Sequence, residues 1–162
     1  MRNAGFALLA AAVGVLLLSY FVDTPRETAV RRSKTLVRSV EAREWATLKA
    51  NLDPGVSLSV LGFNVLYENR DDLIKGAQLG VEKYGVRNVH VLSTEAEQTE
   101  SLISVNMSIV SEQESTMGRP VPTSWRLEWQ RSGKDWTLVR ITCIKIGSLT
   151  GETAARQFPV PR

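Results

Sequence analysis

The second half of the chain alternates apolar and polar residues in successive segments, and this pattern constrains the fold more than any other feature. Residues 86–94, 101–111 and 123–131 have the two-residue period of half-buried strands, and a fourth strand is predicted over residues 136–147. The "SGKD" before the fourth strand is typical of a tight turn. Short connections predict an antiparallel meander. Because apolar residues occur on both faces around residues 139–144, we expect the last strand to be central.

Helical periodicity precedes the strands. From Thr24 to Leu52 apolar residues recur at three- and four-residue steps, and "DTPRE" supplies an N-cap and a proline for the first turn. The "LDPG" that follows ends the helical pattern, and "VSLSVLG" predicts a short strand. A second helix is predicted from Asp71 to Tyr84, with Asn69 as N-cap and Gly85 as terminator. This order predicts an α+β fold whose helices cover one face of a curved, mostly antiparallel sheet.

An uncharged apolar segment, "AGFALLAAAVGVLLLSYFV", runs from Ala4 to Val22. At about 1.5 Å per residue it spans the roughly 30 Å hydrocarbon core of a bilayer. We predict an uncleaved transmembrane signal-anchor over residues 1–23, because bulky residues stand where signal peptidase requires small ones. A cleaved signal peptide is the alternative. The prediction is a single-pass membrane protein with a domain over residues 24–147 and an extended C-terminal tail over 148–162.

A basic run directly follows the apolar segment: Arg26, Arg31, Arg32, Lys34 and Arg38. Cations next to a membrane span attract anionic headgroups, so we predict contact with membrane lipid through residues 4–22 and this run. A solvated helix face is the alternative. The charge rule favours a cytoplasmic domain, but short N-terminal anchors commonly export theirs, and we predict an extracytoplasmic domain. The net charge of +3 gives no reason to predict nucleic-acid binding.

The chain has one cysteine and one histidine. This count excludes an intramolecular disulfide and a His/Cys metal site within one chain. Cys143 lies in an apolar run, so we expect it to be a small buried hydrophobic residue. We predict neither a metal nor a cofactor.

Three segments together resemble the nuclear transport factor 2-like superfamily, which includes SnoaL-like and ketosteroid isomerase-like proteins. They are "SVEAREWATLKANLDPGVSLSVLG", "NRDDLIKGAQLGVEKYG" and "SWRLEWQRSGKDWTLVRITC", and the resemblance covers about residues 26–147. It implies a cone in which helices pack into a bent sheet. Superfamily members include isomerases, dehydratases, hydrolases, cyclases and proteins without catalysis, and many dimerise through the sheet.

The resemblance also identifies positions where catalytic residues would stand. The general base of the ketosteroid isomerase-like members would fall on Leu58 or Ser59, and their hydrogen-bonding tyrosine would fall near Leu36. None of these side chains can perform those roles, so the isomerase mechanism does not transfer. Two weaker catalytic candidates remain: His90 as a base and Tyr67 as a hydrogen-bond donor.

The predicted function is therefore a membrane-anchored, non-catalytic binding or scaffold domain. Its partner would be a second copy, another protein or a small apolar ligand. The alternative is a lyase, isomerase or hydrolase that uses His90 as base in a pocket of the cone. The candidate pocket residues are Trp45, Tyr67, His90, Trp125 and Trp129. The alternatives are that the tryptophans fill the core, that Tyr67 packs on the hairpin as a lid residue, and that His90 lies on the outer surface.

Overall fold

A computed structural model describes residues 24–160 of the chain as one α+β domain. Four helices accompany six strands: α1 Pro25–Glu41, α2 Trp45–Ala50, β1 Ser57–Val60, β2 Val65–Tyr67, α3 Arg70–Tyr84, β3 Arg87–Gln98, β4 Leu102–Glu112, β5 Pro120–Ser132, β6 Asp135–Ile146 and α4 Gly151–Ala155. A 3₁₀ turn, Glu114–Thr116, follows β4. The helices α1 to α3 pack against one face of the sheet, as the sequence predicted.

The sheet has the strand order β2-β1-β6-β5-β4-β3. Strands β3 to β6 form the predicted antiparallel meander, while β1 joins β6 in parallel. The central position predicted for β6 is confirmed, because it lies between β1 and β5. The inward face of β4 carries Ile103, Val105 and Met107, all buried. Its outward face is mainly polar and carries Ser104, Asn106 and Ser108.

The helical pattern over residues 24–52 forms two helices and not one. The N-terminus of α1 is a capping box, in which Thr24 accepts from the backbone of Glu27 and the Glu27 carboxylate accepts from the backbone N–H of Thr24. The chain leaves α1 through Arg43, which adopts a left-handed φ of 58°. The Glu44 N–H then bonds to the Ser39 carbonyl, and α2 begins at Trp45. The apolar spacing over residues 24–52 does not by itself indicate where the first helix ends, because this backbone reversal leaves the spacing intact.

The second predicted helix is confirmed as α3. Asn69 accepts a hydrogen bond from the Asp72 N–H at 2.9 Å, and Gly85 ends the helix with a left-handed φ of 56°. Leu73 and Val81 are buried on its inner face.

The extended tail predicted for residues 148–162 was wrong over its central part. Residues 151–155 form α4, whose Ala154 and Ala155 are buried against Val60 and Cys143. A stretch this short carries no periodicity, and tertiary burial is what makes it helical. Cys143 is completely buried, as predicted, and burial raises the pKa of its thiol to about 12.

None of the helices within residues 24–160 is long and apolar enough to cross a membrane. The predicted anchor, residues 1–23, lies outside the described residues.

Candidate ligand-binding cavity

The concave face of the sheet and the helices α1, α2 and α3 line a cavity of about 320 Å³. This volume is at the low end of the range for small-molecule sites, about 300–1,000 Å³. Apolar side chains form most of the wall, and they come from every layer of the domain: Leu36, Leu48, Leu58, Val81, Ile109 and Leu127 are examples.

The wall contains no carboxylate, no histidine, no cysteine, no lysine and no arginine among the described residues. Its only titratable groups are the hydroxyls of Tyr67 and Tyr84. A charged ligand would therefore enter without a counter-ion, which is unfavourable in an apolar site. The composition of the wall suits an uncharged molecule.

Both tyrosine hydroxyls hold the C-terminal end of the described chain. Tyr67 donates to the carbonyl of Pro159, and Tyr84 donates to the carbonyl of Gln157, each at 2.5 Å. Burial, with a smaller contribution from Tyr84, raises the pKa of Tyr67 to about 12. Tyr67 is therefore a neutral donor already engaged by the protein, and it does not act as a base at neutral pH.

We call residues 157–159 the C-terminal strap, because all three line the cavity. Phe158 packs its ring edge-on against Trp125, with the ring centroids 6.1 Å apart and the planes at 87°. The Trp125 indole N–H donates to the Thr123 hydroxyl at 2.8 Å. Trp125 thus presents an apolar ring to the cavity while its polar edge is bonded within the protein.

The structure brings only two of the five predicted pocket residues to the cavity, Tyr67 and Trp125. Trp129 fills the core, where its indole N–H donates to the Ser33 hydroxyl at 3.1 Å. Trp45 is partly buried at the start of α2 and packs against the same core. Trp45 and Trp129 therefore pack in or against the hydrophobic core, which was the alternative to a place in the pocket.

His90 lies outside the cavity. Its side chain is exposed, whereas the adjacent Val89 lines the cavity and Val91 packs against the core. Asn88 adopts a left-handed φ of 50°, in a bulge of the β3–β4 ladder. Leu92, on the same face as His90, is 65% exposed. A ligand in the cavity is therefore out of reach of the His90 imidazole.

Two of the three positions that the resemblance identified face the cavity. Leu36 and Leu58 both line it, whereas Ser59 points to the other face and lies 3.3 Å from the Thr142 hydroxyl. Apolar side chains thus occupy the places where an isomerase-like protein would carry its polar groups.

Sequence reasoning missed the polar residues Ser111, Gln113 and Thr123, and it missed the C-terminal strap. Ser111 had a usable signal, since it continues the apolar row Ile103–Ile109 of β4 on the same face. The strap had none, because a short irregular segment does not indicate what it packs against.

No protein-family model matches this chain, and no curated protein matches it in sequence. Solved structures do match. A nuclear transport factor 2-like protein from Cytophaga hutchinsonii aligns with a TM-score of 0.60 at 14% identity, over 75% of this chain and 98% of that one. A nuclear transport factor 2-like protein from Novosphingobium aromaticivorans, described as having a cystatin-like fold, aligns with a TM-score of 0.60 at 15% identity, over 92% of this chain and 94% of that one.

A third match is a protein from Streptomyces avermitilis of the same family, described as a candidate dehydratase. It aligns with a TM-score of 0.61 at 13% identity, over 74% of this chain and 94% of that one. Together these matches show that residues 24–160 have the cone fold of nuclear transport factor 2-like proteins. At such identities the likeness shows the fold and assigns no activity.

Proposed function

We propose that this domain binds a small, uncharged, mainly apolar molecule in the cavity and does not transform it. The observation that carries the proposal is a cavity of ligand size with no ionic side chain in its described wall. Burial of apolar ligand surface supplies the affinity, at roughly 25 cal/mol per Å² before the costs of association.

The same observation favours binding over catalysis. General acid–base chemistry needs a side chain that exchanges protons near neutral pH and touches the ligand. The hydroxyl of Tyr67 is bonded to Pro159, and His90 lies on the opposite face of the sheet. A lyase or isomerase reaction based on His90 is the weaker alternative, as is the dehydratase activity suggested for the Streptomyces protein.

Filling the cavity tests the proposal. Ala77 on α3 lines the cavity, so Ala77→Phe places a ring in the space that the ligand would use. We expect the Kd for the uncharged fluorescent probe N-phenyl-1-naphthylamine to rise at least tenfold, with the protein still folded by circular dichroism. The full chain is titrated in one detergent throughout, so that partition of the probe into micelles is common to all variants.

The matched control is Ala46→Phe, which adds the same ring at an exposed position on α2. The control is expected to bind the probe as the unmodified chain does. Equal affinities for the Ala77→Phe and Ala46→Phe variants would contradict the cavity as the binding site. Turnover of a ligand that is lost in Ala77→Phe but retained in Ala46→Phe would favour the enzymatic alternative.

We also propose that residues 4–22 anchor the domain in a membrane and that one face of α1 contacts anionic lipid. Arg26, Arg31, Lys34 and Arg38 share a groove on α1. Arg32 has a different role, because its guanidinium pairs with Asp135 at 3.0 Å and donates to the Trp136 carbonyl at 2.8 Å. The proposal therefore assigns lipid contact to four of the five cations of the predicted basic run, and Arg32 makes a structural contact instead.

Extraction of membranes at alkaline pH tests the anchor. We expect the full chain to remain in the membrane pellet, since transfer of the apolar segment to water is unfavourable. Val13→Arg and Leu16→Arg each add about 2.5–3.5 kcal/mol to the free energy of membrane insertion, and together they are expected to move the chain to the supernatant. Release of the unmodified chain would contradict the proposal, and Arg32→Gln serves as a control that leaves the segment intact.

A further inference from the structure

Ser111 is a polar residue on the apolar inner face of β4. It lies two positions beyond Ile109 on that face, opposite Val121 of β5, and it lines the cavity. Only 7% of the residue is exposed. Val86, just before β3, and Val89, within β3, also line the cavity, and this part of β3 pairs with the end of β4 that carries Ser111.

The Ser111 hydroxyl has no hydrogen-bond partner among the described residues. The nearby Thr123 differs, because its hydroxyl donates to the Ile109 carbonyl at 3.3 Å and accepts from Trp125 at 2.8 Å. The oxygen of the Ser111 hydroxyl is not enclosed by protein atoms, because Ser111 lines the cavity and the oxygen stays accessible from it. Ser111 is therefore placed to bond with whatever occupies the cavity.

We infer that the cavity's ligand is an apolar molecule with one uncharged hydrogen-bonding group, such as a hydroxyl or a carbonyl, which bonds to the Ser111 hydroxyl. This inference rests on the proposed function and adds the ligand's chemical class and orientation. Among the residues that the structure describes, the wall offers no cation to a carboxylate and no anion to an amine, so a neutral group fits the surroundings of Ser111. A serine hydroxyl can both donate and accept, so either polarity of neutral group is accommodated.

Two probes of the same shape test the inference: 2-naphthol, and 2-methylnaphthalene, in which a methyl group replaces the hydroxyl. Each is titrated as a competitor of N-phenyl-1-naphthylamine on the full chain, on Ser111→Ala and on Ser108→Ala. The quantity compared is the ratio of the two dissociation constants within each protein, because partition into detergent cancels between proteins. We expect Ser111→Ala to reduce the preference for 2-naphthol by about threefold to tenfold, the size of one neutral hydrogen bond.

Ser108→Ala is the matched control, since Ser108 lies on β4 with its side chain on the opposite face from Met107. It is expected to keep the preference of the unmodified chain. The same ratio in all three proteins would overturn the inference and indicate that Ser111 binds only water. Failure of both probes to displace the reporter would instead overturn the proposed function, so the two failures are distinguishable.

Discussion

Gly76→Ala is expected to lower the free energy of unfolding by about 1–3 kcal/mol, even though alanine is the better helix former. Gly76 lies within α3 and is buried beneath the ring of Tyr67. A Cβ at this position would lie 2.5 Å from the Tyr67 hydroxyl oxygen and 2.6 Å from its Cε2. The ring has little room to move, because it is buried and its hydroxyl is bonded to Pro159. Urea denaturation followed by circular dichroism measures the loss.

Gly80→Ala is the matched control, one turn further along the same helix. The atoms nearest to its added Cβ belong to Pro159 and lie 3.9 Å and 4.0 Å away, which is ordinary van der Waals contact. This variant is expected to be more stable by about 0.5–1 kcal/mol, through helix propensity alone. If both variants were stabilised equally, the close packing of Tyr67 on Gly76 would be wrong.

The close contact between Gly76 and Tyr67 also affects the ligand-binding cavity. Gly76 allows the Tyr67 ring to cross α3 closely enough for its hydroxyl to reach the C-terminal strap. Displacing the ring would release one of the two tyrosine bonds that hold the strap over the cavity. Gly76→Ala should therefore also weaken binding of N-phenyl-1-naphthylamine, whereas Gly80→Ala should weaken it less.

Trp129→Ala has the larger expected effect, a loss of about 3–5 kcal/mol in the free energy of unfolding. Trp129 is the largest fully buried side chain, and it packs in the core between α1 and the sheet. The truncation removes its apolar contacts, leaves a cavity and deprives the buried Ser33 hydroxyl of its partner. A native domain is stable by only about 5–15 kcal/mol, so this variant is expected to be close to unfolding at 25 °C.

Ser33→Ala measures the same contact with a smaller change, in case Trp129→Ala does not fold. It leaves the Trp129 N–H buried without an acceptor, and a loss of about 1–3 kcal/mol is expected. Ser39→Ala is the control on α1: Ser39 is also buried, but no described group hydrogen-bonds to its side chain. Similar stabilities of the two alanine variants, measured by urea denaturation, would contradict a structural role for the Ser33–Trp129 bond.

Much of the secondary structure follows from the sequence, because its causes are local. The two-residue period of "SLISVNMSIVS" assigns Ile103, Val105 and Met107 to one face, and the structure buries all three. Asn69 and Gly85 mark the ends of α3 through bonds and backbone angles that each residue makes with its near neighbours. The central position predicted for β6 is also confirmed, although the strand is not apolar throughout, because Arg140 is exposed and pairs with Glu128.

The candidate site was less predictable. Alternation places His90 and Val89 on opposite faces of β3 but does not say which face lines the cavity. The structure decides this through the pairing of β3 with β4, which turns Val89 inward and leaves His90 exposed. The tryptophans illustrate the same limit, because an indole has similar apolar character in a core and in a ligand site.

The sequence by itself determined the helical character of residues 24–52 and the helix α3, the meander, the buried cysteine and the absence of the isomerase's polar residues at Leu36 and Leu58. Only the tertiary structure decided that Ser33 meets Trp129, 96 residues away, and that the strap closes on Tyr67 and Tyr84. Local rules act over a few residues, within the reach of one turn of helix or one pair of strand positions. The cavity arises from contacts between residues distant in the chain, and those contacts exist only once the helices have packed on the sheet.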